Sequence, residues 1–568
     1  MYIYRLFANR DESSLQFLWL LAILTYFWNL GLNNIWTPNE GFYAEAVREM
    51  LESGDYVNIF YNYEPRFNKP PLFYWLITLS CKIFGLNEWA IRLPSTLAGL
   101  GTAWLIFKIG NLLENRKLGI SAAIVTLFSF QFVINARYAS PEIVLTFFFT
   151  LTLYWFLKGY HRQYWRYILL SYIALGLAVL TKGYPYLIII SGIIILYVFF
   201  NAQYNIRSFL NKIGWLKPHL GLPLSFLIGM SWIIYMLFTY GNDFYEVWMD
   251  ETARRAFNKP GSLKPFYYLE ANTWGFLPYS LTFYIGLIYL IINRFRSFNQ
   301  HPVLQFSLAW FVVMLMVFTL AKGKIPTYFI QGYPGMALFT AYFILNITSF
   351  NKYLQRAIQF SYWLPGLVFI TLSTIIIYVF KAPLILYMLP ILPLLLLYLG
   401  ERFDIQYFKL AYFPYITFAM AYLAFTSIVF PFMEKDYRNH DKIGEAIIQQ
   451  VPDAQLPLLM QDVQIHNLPY YAQRKIIPYL QEADLLHYYD KESVLLALVP
   501  ANKVEVFEPY DIIWQGLLYD GSETRTLEFV LNILQAQQGK PSLFSEYYVI
   551  YKNKESEAVS NNVNYIDK

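Results

Sequence analysis

The sequence predicts an all-α polytopic membrane protein that carries a C-terminal soluble α/β domain. Three observations point there. Apolar residues make up 57% of the chain and charged residues only 14%, where soluble domains carry roughly a quarter charged. The apolar residues are gathered in runs long enough to cross a bilayer, which takes about 20 residues each. From residue 432 onward the composition changes to ordinary charge density with short strand-like runs.

Taken in order, apolar runs fall near 15–33, 93–113, 118–136, 143–158, 167–181, 184–200, 220–239, 274–293, 303–320, 327–347, 360–380, 383–400 and 410–431. These are about 13 predicted transmembrane helices, and they define a membrane module over 1–431. The first run has no small-residue cleavage site after it and reads as a retained span. Pro71–Gly85 is apolar but short and carries Lys82, so it reads as an interfacial or re-entrant helix. With that segment not spanning, six basic loops fall on one side: Arg116/Lys117, Lys158/Arg162/Arg166, Arg207/Lys212/Lys217, Arg294/Arg296, Lys352/Arg356 and Arg402/Lys409. Cytoplasmic loops are the ones rich in Lys and Arg. The N-terminus is therefore expected in the cytoplasm and the 432–568 domain outside, periplasmic if the membrane is a bacterial inner membrane. Within that domain Pro457-Leu-Leu-Met460, Ser493-Val-Leu-Leu-Ala-Leu-Val499 and Tyr548-Val-Ile-Tyr551 read as strands, and 552–568 is expected to fray.

The external loop 34–70 is acidic and basic together. Thr37, Pro38 and Asn39 offer helix-start chemistry and Gly54 a stop. Phe42, Ala44, Ala46, Val47, Met50 and Leu51 form an apolar stripe, so this helix is expected to lie on the membrane. Glu40 reads either as a first-turn carboxylate suited to the helix dipole or as a general base or cation ligand. Glu142, the acid of the loop Ala136-Arg-Tyr-Ala-Ser-Pro-Glu142, has the same two readings.

Basic residues on the side that should lack them are the second signal. They are Arg66, Lys69, Lys182, Arg254, Arg255, Lys259, Lys264, Lys322 and Lys324. Any one of them would ordinarily snorkel to the interface. Their convergence on one face suits an anionic headgroup such as a phosphate. The single cysteine, Cys81, excludes an intramolecular disulfide. The net charge of +5 does not imply nucleic acid. No Walker loop, GxGxxG or nucleophile elbow is present. His161, His219 and His301 map to cytoplasmic loops, and His440, His466 and His487 to the tail, so no His-based zinc site is evident. The cofactor stays unknown, a divalent cation included. Gly332-Tyr-Pro-Gly335 reads as a place where a span deforms.

Seven segments in order resemble the GT-C superfamily, in particular the bacterial lipid A aminoarabinose transferases and the protein O-mannosyltransferases. They are Tyr43-Ala-Glu-Ala-Val-Arg-Glu-Met-Leu-Glu-Ser-Gly54, Lys69-Pro-Pro-Leu-Phe-Tyr-Trp75, Arg92-Leu-Pro-Ser95, Leu180-Thr-Lys-Gly183, Lys264-Pro-Phe-Tyr-Tyr268, Gly275-Phe-Leu-Pro278 and Ala321-Lys-Gly-Lys-Ile-Pro-Thr-Tyr-Phe329. The resemblance covers roughly 15–350. It implies transfer of a sugar from a polyprenyl phosphate, of the undecaprenyl-phosphate type, to a lipid, glycan or protein acceptor on the external face. It implies Lys69 at the lipid phosphate, and some of the external cations Arg254, Arg255, Lys322 and Lys324, with Tyr328, are the candidates to join it. The Asp that opens the family's first loop is Asn39 here, its second member survives as Glu40, and the Asp of the second external loop is Glu142. The Glu before Lys-Pro-Pro is Asn68, and the His residues before Pro-Phe-Tyr-Tyr are absent.

The sequence therefore reads as a polyprenyl-phosphate-sugar-dependent glycosyltransferase with Glu40, Glu142 and Asn39 as the catalytic candidates. A lipid-linked-sugar transporter or flippase would show paired halves with broken helices, and no such duplication is visible. A catalytically inactive relative is the alternative raised by Asn39. An enzyme moving whole glycans is the third.

Overall fold

The structure is a computed structural model describing residues 10–254, 264–294, 298–405, 409–521 and 526–553. The chain forms two compact units. One comprises Met1–Leu30, Phe67–Ser80 and Arg92–Ile428, and the other Gly31–Arg66, Cys81–Ile91 and Val429–Lys568.

In the first unit each of the thirteen predicted runs falls on helix. Among the described residues, eight helices are long and apolar enough to cross a membrane: Glu88–Leu113, Pro141–Arg162, Trp165–Lys182, Pro218–Tyr240, Pro302–Leu320, Lys352–Val379, Leu384–Arg402 and Leu410–Lys435. The run at 118–136 is not the straight span its composition suggested. It is two helices, Arg116–Leu127 and Phe130–Ala136, bent by 69°. The hydroxyls of Thr126 and Ser129 donate back to the carbonyls of Ala122 and Val125, and such back-bonding bends helices. The Phe130 N–H freed by the break donates to the Leu277 carbonyl at 2.8 Å, so this donor is satisfied within the protein, as an apolar setting requires.

In the four remaining runs the apolar helix is shorter: Gln16–Phe27, Pro185–Asn201, Ser280–Ile292 and Tyr333–Leu345. The last follows a 3-10 turn, Pro326–Gly332, and the Gly-Tyr-Pro-Gly motif lies where that turn gives way to α-helix, with Pro334 in the first helical turn. Leu72–Phe84 is a 13-residue helix.

In the second unit a five-stranded sheet has the order Ile476–Leu480, Leu458–Gln461, Val494–Pro500, Phe544–Asn553, Asp511–Tyr519. The first three strands run parallel, and the last two pair antiparallel. Alternation sends Leu496 and Leu498 to one face and Leu495, Ala497 and Val499 to the other, and both faces are covered. A strand buried on both faces reads as a continuous apolar run, which is how 493–499 reads. All three predicted strands are present.

The Asn39–Ser53 helix belongs to this unit. Gly54 closes it at φ 74, the left-handed conformation glycine adopts freely. The expected membrane-facing stripe does not describe it. Glu40 through Met50 are buried all round, apart from partly covered Phe42, with Glu45, Arg48 and Glu49 among them. The cause is packing on Leu468–Ala472. A Cβ at Gly41 would lie 2.7 Å from the His466 carbonyl, so glycine is required for that approach.

Candidate active site

The segment before the Leu72–Phe84 helix is pinned by Phe67, whose ring packs on Tyr240 at 5.0 Å and Phe244 at 5.5 Å. Pro70 and Pro71 then fix the backbone φ on the other side of Lys69. Between these anchors the Lys69 ammonium donates to Glu251 Oε2 at 2.6 Å, both side chains 23% exposed. Glu251 stands in a π-helical turn, Asp250–Arg254, that continues the helix Asn242–Met249. Such turns occur often at functional sites.

A second ion pair lies at the mouth of the Pro141–Arg162 helix. Ser140 caps it, accepting from the Glu142 N–H at 3.3 Å, and Pro141 fills the first helical position. The Ser140 hydroxyl also donates to Glu142 Oε2. Glu142 Oε1 accepts from the Lys182 ammonium at 2.6 Å, in a largely buried pair. The same ammonium lies 4.7 Å from the centre of the Tyr328 ring, a cation–π distance. Gln331 donates to the Glu142 carbonyl at 3.3 Å. Glu142 is thus held from both oxygens beside a fixed cation. The two pairs are tied together through ring contact, since Tyr184, two residues after Lys182, meets Trp248 at 5.9 Å. Trp248 lies three residues before Glu251.

The other expected phosphate ligands are placed as follows. Arg254 is half exposed and paired with Glu246 at 2.7 Å and Asp250 at 2.8 Å. Lys324 donates to the carbonyls of Phe318, Thr319 and Ala321 and closes the end of the Pro302–Leu320 helix. Lys322 is exposed. Arg255 and Lys259 lie outside the described residues.

In the other unit Asn39 is exposed at the first position of its helix, and Glu40 is fully buried. One oxygen of Glu40 accepts from the Trp36 N–H at 2.9 Å. Further along, Arg48 grips Glu45 with two bonds of 2.8 Å and Glu52 with one of 2.7 Å. Glu49 accepts from the Tyr63 N–H at 2.9 Å. Burial pushes the Glu49 carboxyl up to about 8, and the hydrogen bond that protonated Glu49 donates to Glu45, together with the charge of Glu45, adds to this. His466 stays below its usual range because it is buried, and Arg66 adds to this. Among the described residues no three His, Cys, Asp or Glu side chains gather as metal ligands.

Sequence reasoning had Lys182 only as one of several misplaced cations and missed Glu251. Their partners lie 40 and 182 residues away. The faint signal for Glu251 was an acid preceding Arg254 and Arg255 in a loop chosen for its basic residues.

The family model described as dolichyl-phosphate-mannose-protein mannosyltransferase matches residues 68–235. An uncharacterised protein of Aquifex aeolicus is 33% identical over 513 residues, covering 90% of this chain and 95% of its own. The undecaprenyl phosphate-alpha-4-amino-4-deoxy-L-arabinose arabinosyl transferase 2 of Proteus mirabilis is 26% identical, over 60% of each chain. The chain thus spans about 60% of the length of the aminoarabinose transferases it matches. The crystal structure of ArnT from Cupriavidus metallidurans bound to undecaprenyl phosphate superposes with a TM-score of 0.71 at 17% identity, covering 88% of this chain and 96% of that one. The fold is the same.

Proposed function

We propose, from the premise that this chain belongs to the GT-C family of membrane glycosyltransferases that use lipid-linked sugars, that it moves one glycosyl unit from a polyprenyl-phosphate donor to a lipid, glycan or protein acceptor. Transfer takes place at the external face of the bacterial inner membrane. The N-terminus is cytoplasmic and residues 432–568 form the external domain, an orientation supported by the six basic loops.

Lys69 holds the donor phosphate. Sugar–phosphate cleavage builds negative charge on that phosphate, and a cation already in place stabilises the transition state more than the ground state. Tyr328 and Lys182 form a fixed wall beside Glu142. Glu142, anchored by Ser140 and Lys182, accepts a hydrogen bond from the acceptor nucleophile and orients it. Glu40 keeps the entry of its helix closed through Trp36, and Asn39 stands exposed beside it.

The observation that carries this reading is Lys69: an ammonium anchored on both sides, partly open, and engaged by an anion at 2.6 Å. The test is mass spectrometry of lipid and protein fractions from cells with the wild-type chain, with Lys69→Met, and with neither. The expected result is a product heavier by one sugar in the wild-type cells alone. A product formed equally with Lys69→Met sinks the phosphate assignment. A mass increment of many sugars would move the reading to whole-glycan transfer.

A further inference from the structure

We infer that Glu251 is an exchange partner for the donor phosphate on Lys69, and that its return to Lys69 expels the polyprenyl phosphate product. The inference rests on the reading of Lys69 as the phosphate ligand.

The geometry is that of an occupied anion site. The backbone that carries Lys69 is held in place, because Phe67 packs on Tyr240 and Phe244 and two prolines follow the lysine. Glu251 reaches it from a five-residue π-helical turn, and the contact is a direct 2.6 Å ion pair. Phe244 stands on the helix that leads into that turn, so the anchor of Lys69 and the carrier of Glu251 share one element. Both side chains keep 23% exposure. The pair is sheltered enough to be strong, and open enough for a second anion to reach the ammonium.

Charge explains why a resident carboxylate is useful. The donor is a phosphodiester with one negative charge. Breaking its sugar–phosphate bond leaves a phosphate monoester, which carries about −1.5 to −2 at neutral pH. A lone lysine would therefore hold the product more tightly than the donor, and turnover would stall at release. A carboxylate that competes for the same ammonium weakens both, which brings the more tightly held product into the range where it can leave, and Glu251 retakes the ammonium as it does. Release becomes an exchange of one anion for another, with no stage at which Lys69 is left bare.

The measurement is binding of undecaprenyl phosphate to the purified full-length chain, with its potency as a product inhibitor read alongside. Glu251→Gln keeps the shape and an acceptor oxygen for Lys69 while removing the charge. A partly exposed ion pair is worth up to about fivefold in binding, and somewhat more where it is sheltered, so about two- to tenfold applies to this one. Glu251→Gln should therefore bind undecaprenyl phosphate about two- to tenfold more tightly and be inhibited by it at correspondingly lower concentration. Glu251→Asp should behave as wild type, and Lys69→Met should bind weakly. Unchanged or weaker binding by Glu251→Gln, with Lys69→Met weak, overturns the exchange and leaves Lys69 as the phosphate ligand. Wild-type binding by Lys69→Met overturns the underlying reading as well. If Glu251→Gln does not purify, Glu251→Ala carries the same expectations.

Discussion

At the scale of single residues, the account turns on ion pairs that fix side chains before substrate arrives. Glu142 is bonded at both oxygens, and Lys182 is shared between a carboxylate and a ring. Removing the charge of Glu142 with Glu142→Gln should lower kcat by about a hundredfold or more while undecaprenyl phosphate binds as before, measured by steady-state kinetics and by direct binding. An equal loss in donor binding would mean that Glu142 only holds the fold. Lys182→Met leaves a buried carboxylate without its partner, and breaking such a pair costs about 3–5 kcal/mol. A clear drop in melting temperature in detergent is expected. Lys69→Met should lose about ten- to a hundredfold in binding, the worth of a charge-assisted contact to phosphate.

These residues were unequally legible in the sequence. Lys69 announced itself through its two prolines, and Glu142 through the Ser-Pro-Glu helix start. Their partners did not, because a charge 40 or 182 residues away in the chain leaves no local pattern. The basic residues chosen for being on the wrong side of the membrane divided in the structure. Lys182 meets a carboxylate, while Lys324 is spent on the carbonyls that end a helix. The charge rule identifies an unusual cation but cannot say what it faces.

At the scale of elements, the Asn39–Ser53 helix shows where pattern reading succeeds and where it fails. Its start and its glycine stop were readable from residue chemistry alone. Its setting was not, since an apolar stripe looks the same whether it meets lipid or protein. On the opposite face Glu45 and Arg48 are buried as a hydrogen-bonded ion pair, and Glu49 beside them is buried with its carboxyl pushed toward the neutral form, the two ways an interior accommodates such groups. This cluster predicts a pH effect. The Glu49 carboxyl titrates near 8 in the folded chain, against about 4.5 when unfolded. Between those values the folded state holds the extra proton. The contribution to stability is complete below about 4.5 and is lost as pH rises through about 8. Melting temperature measured across that window should fall with rising pH, and Glu49→Gln should flatten the slope. A slope unchanged in the variant would place the titration elsewhere. The bend at Leu127–Phe130 is another limit of pattern reading, because hydropathy registers an apolar run and not the hydroxyl back-bonds that break it.

At the scale of the whole molecule, composition and run length gave the helical membrane class, and ordinary charge density with short strand-like runs such as 493–499 gave the α/β domain. What they overstated was the uniformity of the spans: among the described residues eight are full length, one is bent and four are short in their apolar part. The orientation rests on the positive loops. Cysteine introduced at exposed Gln538 should label from outside intact cells, and at exposed Gln203 should not. The native Cys81 is buried and gives little background. Labelling of Gln203 alone would invert the molecule and move every proposed site residue to the cytoplasmic face.

The central claim is that this chain cleaves a sugar–polyprenyl-phosphate bond with Lys69 at the phosphate. Purified protein in nanodiscs, supplied with a polyprenyl-phosphate sugar and a membrane extract as acceptor, tests it most directly by following free polyprenyl phosphate with mass spectrometry. The account predicts that polyprenyl phosphate appears in step with a product heavier by one sugar, and that Lys69→Met releases little. Intact donor after prolonged incubation with the extract, or release that proceeds equally in Lys69→Met, would contradict it.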